Sequence, residues 1–144
     1  MDKEYKYTLI NQSDMDYKKI MLYLYNTLIR QIILWNLSKE DIYGYKLMSK
    51  IDDFFKTSIE LGLLRKTRPS KIYPILKELR ERGMIESYNG IHENKRVLIY
   101  HLTPKGRKNL IIFRQGLSNI MNNENMHDFF KFTFGIEYDI IYEQ

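Results

Sequence analysis

One basic segment, residues 65–82, holds the side chains with the clearest chemical potential in this sequence. It contains seven lysine and arginine residues and two glutamates, so its formal charge is +5, the same as the net charge of the whole chain. Lysine and arginine side chains that are concentrated in one segment are suited to contacts with phosphate groups. The segment therefore predicts an anionic partner, while the rest of the chain is close to neutral.

The apolar residues of this basic segment recur at helical spacing and predict a helix. They are Ile72, Ile75, Leu76 and Leu79. A turn of about 100° per residue places Ser70, Tyr73 and Lys77 on the opposite side of the helix. Pro74 has no N–H and would cost an interior position about 3 kcal/mol, so it must lie in or just past the first turn, which puts the helix start near Ser70. Gly83 is typical of the residue that ends a helix.

A helix with a positive, polar first turn and an apolar flank is suited to a groove lined by phosphates. An ordinary solvated surface helix is the alternative, because basic runs are common on protein surfaces. The neighbouring elements distinguish these two interpretations.

Composition restricts the chain to one compact domain with an accessory element. Its 144 residues, 44% of them hydrophobic, suffice for one core. The absence of cysteine excludes disulfides, thiolate metal sites and cysteine nucleophiles. The charged start, MDKEYKYT, lacks the apolar run of a secretory signal, and Arg30 interrupts the apolar stretch at residues 20–37, which disfavours a membrane helix. We therefore expect a cytoplasmic protein without a membrane span.

A long helix is predicted over about residues 14–36, and its apolar side is wider than one small core can cover. The excess favours burial against a second subunit, and coverage by the chain's own tail is the alternative. Upstream, Tyr5, Tyr7 and Leu9 alternate with polar residues and form a weak strand pattern. The residues of the long helix that we expect at a dimer interface are Leu24, Leu28 and Ile32.

A second helix and a hairpin are predicted on either side of the basic helix. Ser38 and Asp41 have the spacing of a capping box at the start of the second helix. The apolar residues of that helix are Leu47, Met48, Ile51, Phe54 and Phe55. Residues 84–88 and 97–102 predict two strands, with a turn at Asn89-Gly90 and a basic tip at residues 92–96.

The C-terminal part begins with a helix and ends in an aromatic tail. Thr103 followed by Pro104 is typical of a helix start. Four apolar residues then recur at the spacing of a helix that packs against another helix, and we expect them at a dimer interface. They are Leu110, Phe113, Leu117 and Ile120. Over residues 130–142 apolar residues alternate strictly, which favours a strand paired with the N-terminal one, while a helix over residues 126–134 is the alternative.

These elements predict an α+β, mostly α, chain that consists of a winged helix-turn-helix domain with N- and C-terminal dimerisation helices. Residues 1–36 form the N-terminal segment and long helix, and residues 37–103 the winged helix-turn-helix domain. Residues 104–125 form the C-terminal dimerisation helix, and residues 126–144 form the tail.

Three motifs in this order resemble the PadR family of transcriptional regulators. Tyr43-Gly44-Tyr45 is similar to the aromatic-Gly-Tyr start of the family's second helix. The segment IYPILKEL at residues 72–79 is similar to the Tyr-Pro core of its recognition helix. The segment LTPKG at residues 102–106 is similar to the Leu-Thr-x-x-Gly that closes its wing. The resemblance covers residues 32–110. The chain departs from the family at Ser70-Lys71, where a small residue or glycine is usual, and at Tyr43, where histidine is usual.

The resemblance implies a homodimeric repressor that binds specific sequences of double-stranded DNA. Its recognition helix, about residues 70–82, would enter the major groove, and its wing, about residues 88–97, would lie on the backbone or in the minor groove. The first and last helices of two subunits would interlock. Family members often sense a small aromatic compound near that interface, and no cofactor is implied. Tyr25, Trp35 and Phe113 are the candidates for such an effector pocket, with ordinary core packing as the alternative.

The expected roles of the basic residues follow from their chemistry. Cations before the recognition helix and on the wing should contact phosphates, which supply affinity and salt dependence. They are Arg65, Lys66, Arg68, Lys95 and Arg96. The candidates to reach base edges or adjoining phosphates are Ser70, Lys71, Tyr73 and Lys77. The ring of Tyr73 could instead cover the apolar core.

Two other classes of function compete with duplex DNA binding. An enzyme is least expected, because His92, His101 and His127 are far apart in sequence and no motif for metal or nucleophilic catalysis accompanies them. We therefore expect no catalytic and no metal site. A winged-helix module that binds protein or structured RNA is the nearer alternative, although the narrow major groove of an RNA duplex disfavours helix insertion.

Overall fold

The computed structural model of the chain describes residues 15–135. Its elements are helix α1 (Met15–Leu37), strand β1 (Ile42–Tyr43), helices α2 (Gly44–Phe54), α3 (Lys56–Glu60) and α4 (Pro69–Glu81), strands β2 (Ile85–His92) and β3 (Lys95–Leu102), and helices α5 (Pro104–Met121) and α6 (Glu124–Thr133). The chain divides into two compact units, Met1–Arg107 and Lys108–Gln144.

The core of the first unit lies between α1, α2, α4 and the small sheet. Its fully buried side chains come from three helices and two strands. They are Ile29, Ile33 and Leu34 of α1, Leu47 and Ile51 of α2, Ile72, Leu76 and Leu79 of α4, and Ile42 and Ile85 of the strands. Burying one such side chain contributes about 1.5–3 kcal/mol, so this packing is the main interaction that holds α4 in place.

Strands β2 and β3 form an antiparallel hairpin that runs from the Ile85–Leu102 pair to the His92–Lys95 pair. Strand β1 adds two residues along the other edge of β3, so the strand order is β1-β3-β2. Helices α2 and α4, which are connected through α3, precede this hairpin. The arrangement is a winged helix-turn-helix, which confirms the predicted domain. The dimerisation role of the first and last helices stays a prediction.

The hairpin turns at Glu93 and Asn94, and the predicted turn at Asn89-Gly90 is wrong. The φ angles of Glu93 and Asn94, 50° and 62°, lie in the left-handed region that two-residue hairpin turns require. Asn89-Gly90 lies inside β2, paired with β3. Gly90 provides space and not a turn, because a Cβ at this position would collide with Cδ1 of Ile99. The wing is consequently longer than the sequence predicts.

Helix α4 begins one residue before the expected start at Ser70. Arg68 is its N-cap and Pro69 its first residue, where a missing N–H costs no helical hydrogen bond. Pro74 is therefore the sixth residue, just past the first turn, as the sequence requires. Its missing N–H leaves only the carbonyl of Ser70 without a helical partner, and Ser70 is exposed to water.

The end of α4 confirms the stop predicted at Gly83. Gly83 has a φ of 73°. Its N–H donates to the carbonyl of Arg80 (2.9 Å), and the N–H of Met84 donates to the carbonyl of Leu79 (2.9 Å). These two bonds form a Schellman motif. The motif requires a left-handed backbone conformation at the position of Gly83, which glycine adopts more easily than other residues.

Thr103 and Gly106 join the end of α4 to the start of α5. The hydroxyl of Thr103 donates to the carbonyl of Gly83 (2.6 Å) and accepts from the N–H of Gly106 (3.1 Å), and the N–H of Thr103 donates to the carbonyl of Met84 (3.1 Å). Gly106 approaches the same Met84 carbonyl so closely that a Cβ would collide with its oxygen. The predicted helix start at Thr103 is confirmed, and the glycine that follows permits a backbone contact.

The predicted capping box before α2 is wrong. Strand β1 intervenes, and α2 starts at Gly44 with no side-chain cap, while the hydroxyl of Ser38 donates to a carbonyl at the end of α1 (2.6 Å). The carboxylate of Asp41 instead accepts from the hydroxyl of Tyr88 (2.8 Å) and bonds to Nδ1 of His101 (2.8 Å). The bond with His101 is the largest cause that lowers the pKa of Asp41, and Tyr88 adds to it.

Helix α1 keeps a stripe of apolar residues exposed. Leu24 and Leu28 are exposed, and Ile20 and Trp35 lie exposed on the same side. Ile32 is 8% exposed and belongs to the core of this chain. Its assignment to a dimer interface is therefore corrected, because its side chain is already covered within this chain.

In the second unit, α6 replaces the strand that strict alternation predicts. The side chain of Asn123 caps this helix by accepting from the backbone N–H three residues on (3.2 Å). The rings of Phe130 and Phe134 lie 4.2 Å apart, one helical turn from each other. The strand prediction is therefore wrong for residues 130–134, and the alternative of a helix is confirmed. Residues 5–9 and 136–142 lie outside the described residues, so the pairing of the termini stays a prediction.

Gly106→Ala should lower the free energy of unfolding by about 1–3 kcal/mol, the usual cost of forcing an extra group into a packed site. Gly116→Ala in the same helix is the control, because nothing lies within 4 Å of the position that its Cβ would take. Alanine there should raise stability by up to about 1 kcal/mol through its helix propensity. Chemical denaturation followed by circular dichroism measures both variants, and equal effects would contradict the close contact at Gly106.

Asp41→Asn should lower stability at neutral pH and lose this effect in acid. Folding lowers the pKa of Asp41 below its ordinary value of 3.8. The ionised carboxylate therefore stabilises the folded protein fully when the pH is above 3.8, and this stabilisation is lost as the pH falls through the folded pKa. The loss should be small, because both Asp41 and His101 are partly exposed. Urea denaturation from about pH 7 to about pH 2 measures it, with the exposed Asp53→Asn as control. A loss of equal size across that range would contradict the network.

Candidate nucleic-acid interface

The exposed side of α4 carries three of the residues predicted to contact DNA. Ser70, Tyr73 and Lys77 are exposed, whereas the apolar stripe of the same helix is buried. Nζ of Lys77 lies 3.9 Å from a carboxylate oxygen of Glu81, but both side chains are more than 60% exposed, so this ion pair is weak. Burial of the stripe fixes the direction in which the exposed side faces.

Tyr73 combines packing with exposure. Its ring lies against Gly44 at the start of α2, where a Cβ would be 2.7 Å from Oη of Tyr73. The residue nevertheless remains 43% exposed. The ring of Tyr73 therefore packs against the protein, which is one of the two roles that the sequence analysis considers. Contact with DNA through its exposed edge stays a prediction.

Lys71 points toward α1 and away from the exposed side of α4. Its Nζ donates to Oδ1 of Asn26 (2.6 Å). Two turns further along α4, Nε of Arg30 donates to the carboxylate of Glu78 (2.7 Å). Lys71 and Glu78 thus attach one side of α4 to α1, and Lys71 must leave Asn26 before it can reach a base.

The loop before α4 is basic and exposed, and a second pair of cations adjoins it. Arg65, Lys66 and Arg68 are exposed, and Lys18 and Lys19 of α1 line the same cleft as these three residues. None of the five forms an ion pair with a residue that the structure describes. The sequence reasoning missed the two lysines of α1, because only the fold brings the first turns of that helix to the loop.

The wing ends in a basic tip. Lys95 and Arg96 are exposed and pair with His92 and Ile91 at the end of the hairpin. The ring of His92 stacks on that of Tyr43, with 4.4 Å between the ring centres. The two cations therefore lie at the start of β3, directly after the turn, and the stacked ring of Tyr43 contacts the end of β2 beside them.

The aromatic residues predicted to line an effector pocket are not brought together in the first unit. Tyr25 is buried, with its hydroxyl 2.7 Å from Oγ1 of Thr67. Trp35 lies roughly 15 Å further along the axis of α1 and is 49% exposed, with Nζ of Lys39 4.5 Å from its ring centre. Phe113 belongs to the second unit. Tyr25 and Trp35 therefore cannot line one small pocket in this chain.

Within residues 15–135, no three His, Asp or Glu side chains are grouped so that they could hold a metal ion. His92 and His101 bond to Tyr43 and Asp41 respectively. In the same described part, every helix is too short or too polar to cross a membrane.

Several solved structures are similar to this chain. A PadR-like transcriptional regulator from Bacillus cereus is 24% identical, with a TM-score of 0.58 over 72% of this chain and 93% of that chain. A transcriptional regulator from Clostridium thermocellum is 25% identical, with a TM-score of 0.51 over 69% of this chain and 91% of that chain. PadR from Bacillus subtilis, solved in complex with operator DNA, is 32% identical, with a TM-score of 0.46 over 60% of this chain and 45% of that chain. No curated protein matches the chain.

One protein-family model, described as the transcriptional regulator PadR-like family, matches residues 33–111. The match covers more than half of the chain and includes the whole winged helix-turn-helix and the start of α5. It confirms the resemblance that the three sequence motifs carry. It also confirms the expectation that the chain is not an enzyme, because the family consists of regulators. The chain belongs to the PadR-like family of transcriptional regulators.

Proposed function

We propose that this protein binds specific sites on duplex DNA as a homodimer and represses transcription. The observation that carries the proposal is the exposed basic loop and first turns of α4, which a fully buried apolar stripe fixes to the core. In helix-turn-helix proteins the N-terminal residues of such a helix contact base edges in the major groove. Membership of the family supplies the role in transcription.

The cations beside α4 and at the wing tip supply affinity. Each phosphate contact releases counterions from the DNA and carries no sequence information. The residues proposed for these contacts are Arg65, Lys66, Arg68, Lys95 and Arg96. With α4 in the major groove, the wing, about residues 88–97, lies on the adjacent backbone or in the minor groove.

The exposed side of α4 supplies specificity. Ser70 offers a hydroxyl and Lys77 an ammonium group to base edges, and the exposed edge of Tyr73 lies beside them. Lys71 adds a cation once its bond to Asn26 is broken. Good hydrogen-bonded contacts to a base are worth about 1–3 kcal/mol of discrimination each, so a few suffice to select a site.

A second copy of the chain covers the apolar surface that the single chain leaves exposed. The exposed apolar residues that we assign to the interface are Ile20, Leu24, Leu28 and Trp35 of α1, in the first unit, and Leu117 and Ile120 of α5, in the second. Exposed apolar residues that recur on one side of a helix are typical of an interface. A two-fold dimer places its two α4 helices in half-sites about one helical turn apart.

Repression follows from occupancy of the site. A dimer that covers two half-sites excludes other proteins from the same stretch of DNA. The proposal places the protein in the cytoplasm, where transcription occurs in a cell without a nucleus. Sequencing of DNA fragments that the purified protein selects from a random pool tests it directly. A two-fold symmetric motif is expected, and the absence of any enriched motif would reject sequence-specific binding.

Duplex RNA is the competing ligand, because the same cations would contact its phosphates. The deep, narrow major groove of an A-form duplex does not admit a helix such as α4, which favours DNA. Gel shifts with DNA and RNA duplexes of one sequence separate these ligands. Tighter binding of the RNA duplex would reject the proposal.

Removing one phosphate contact should flatten the salt dependence of DNA binding. Arg68→Ala and Lys95→Ala should each reduce the slope of log affinity against log salt by about one unit, since each loses one contact. Fluorescence anisotropy of labelled DNA over a series of salt concentrations measures the slopes. Lys108→Ala removes an exposed charge in the second unit and should leave the slope unchanged. Parental slopes for both test variants would remove Arg68 and Lys95 from the interface.

Leu117→Asp should weaken the dimer and, with it, DNA binding. Leu117 is 48% exposed in the single chain, so aspartate is tolerated there, whereas a carboxylate buried between two copies costs several kcal/mol. Analytical ultracentrifugation measures the dimer, and a gel shift with a two-half-site duplex measures binding. Leu61→Asp, at an exposed leucine of the first unit, is the control. A parent protein that sediments as a monomer at every concentration would contradict the dimer.

A further inference from the structure

A cleft of about 380 Å³ opens between the first turns of α1 and the basic loop before α4. This volume lies within the usual range of small-molecule sites. The floor of the cleft is apolar and consists of Leu22, Tyr25, Leu63 and Leu64. Tyr25 and Leu63 are buried, whereas Leu22 is 46% exposed. The first unit therefore presents apolar surface to solvent inside a concave site.

The rim of this cleft is cationic. It carries Lys18, Lys19, Arg65, Lys66, Arg68 and Lys71, and no carboxylate belongs to its described lining. Lys71 is bonded to Asn26, and the other five cations have no ion-pair partner among the described residues. An anion at the rim would meet several positive charges beside a low-dielectric floor, where their attraction is stronger than in bulk water.

One polar pair lies at the floor of the cleft. The hydroxyl of Tyr25 is 2.7 Å from Oγ1 of Thr67, and the N–H of Thr67 donates to the carboxylate of Asp52 behind it (2.9 Å). Burial raises the pKa of Tyr25, and the charge of Asp52 adds to this effect. Tyr25 is therefore a neutral hydroxyl at physiological pH and adds no negative charge that would repel an anion.

We propose that this cleft binds a small organic anion with an apolar body, of the class of medium-chain carboxylates. The carboxylate lies among the rim cations, and the apolar chain covers Leu22 and the buried floor beneath it. A DNA phosphate could pair with the cations of the rim, but it has no apolar body that would cover the leucine side chains of the floor. The combination of charge and apolar floor therefore selects an amphipathic anion over DNA as the occupant of the cleft.

The cleft shares its rim with the surface proposed for DNA. Arg65, Lys66, Arg68, Ser70 and Lys71 line the cleft and are also residues proposed to contact phosphates or bases. A ligand carboxylate that neutralises these cations reduces the charge left for DNA, so the two ligands compete. This competition rests on the proposed DNA-binding function, whereas the site itself does not.

Isothermal titration calorimetry with the 144-residue chain tests the site, with decanoate and decylammonium as probes below their micelle concentrations. Decanoate should bind at least about tenfold more tightly, because the rim attracts only the anion. Leu22→Ser should weaken decanoate binding about fivefold, since it removes apolar surface from the floor. Leu61→Ser, at an exposed leucine outside the cleft, should leave the affinity unchanged. Equal affinity for both probes, or equal effects of both substitutions, would overturn the site.

Anisotropy of labelled duplex DNA tests the competition. Decanoate should displace DNA from the parent protein, and Leu22→Ser should require about fivefold more decanoate while its own DNA affinity stays at the parental value. Decanoate that binds by calorimetry and leaves DNA binding unchanged would overturn the competition. If the protein binds no duplex DNA, the proposed function fails, and the calorimetric comparison of probes and variants still decides whether the cleft is a site.

Discussion

The backbone contact between Gly106 and the carbonyl of Met84 is the constraint on which the DNA-facing surface depends. It brings the first turn of α5 against Met84, two residues past the C-cap of α4, and Thr103 bonds to both sides of this contact. The hairpin leaves and returns at the same place, since Ile85 pairs with Leu102. The end of α4, the first pair of the hairpin and the start of α5 are therefore held together at one place. Any side chain larger than hydrogen at residue 106 would push the start of α5 away from Met84.

Apolar burial holds and orients α4, and polar contacts with α1 reinforce this orientation. The Arg30–Glu78 pair is about 40% exposed on both sides, so it contributes much less than the buried stripe of α4. Together with the bond between Lys71 and Asn26, it lies on the side of α4 that faces α1. The same helix α1 carries the exposed apolar stripe at Leu24 and Leu28. A shift of α1 at a dimer interface would therefore be passed to α4 through contacts on the opposite side of α1.

The sequence predicts the elements whose signals are local and fails where distant residues decide. The start of α4 was predictable to within one residue from Pro74, and the end of α4 and the start of α5 from Gly83 and Thr103, because each of these residues acts within one or two turns of its own position. The prediction of a turn at Asn89-Gly90 was wrong, because both residues pair with β3 and because Gly90 leaves the space that the side chain of Ile99 occupies. The tail was misread because residues that alternate also include pairs four apart, such as Phe130 and Phe134, which meet on a helix. Most of the predicted DNA contacts are exposed where expected, but the cleft and its two extra lysines depend on the packing of α1, which no local pattern encodes.

The cations around α1 and the basic loop raise the free energy of the unliganded protein. Lys18 and Lys19 line the same cleft as Arg65, Lys66 and Arg68, and like charges that lie close together repel. Leu22 adds a second cost, because it leaves apolar surface in water beside those charges. DNA relieves the first cost and leaves the second. An anion with an apolar body would relieve both at once, so the floor of the cleft would distinguish the two proposed ligands although they share cations.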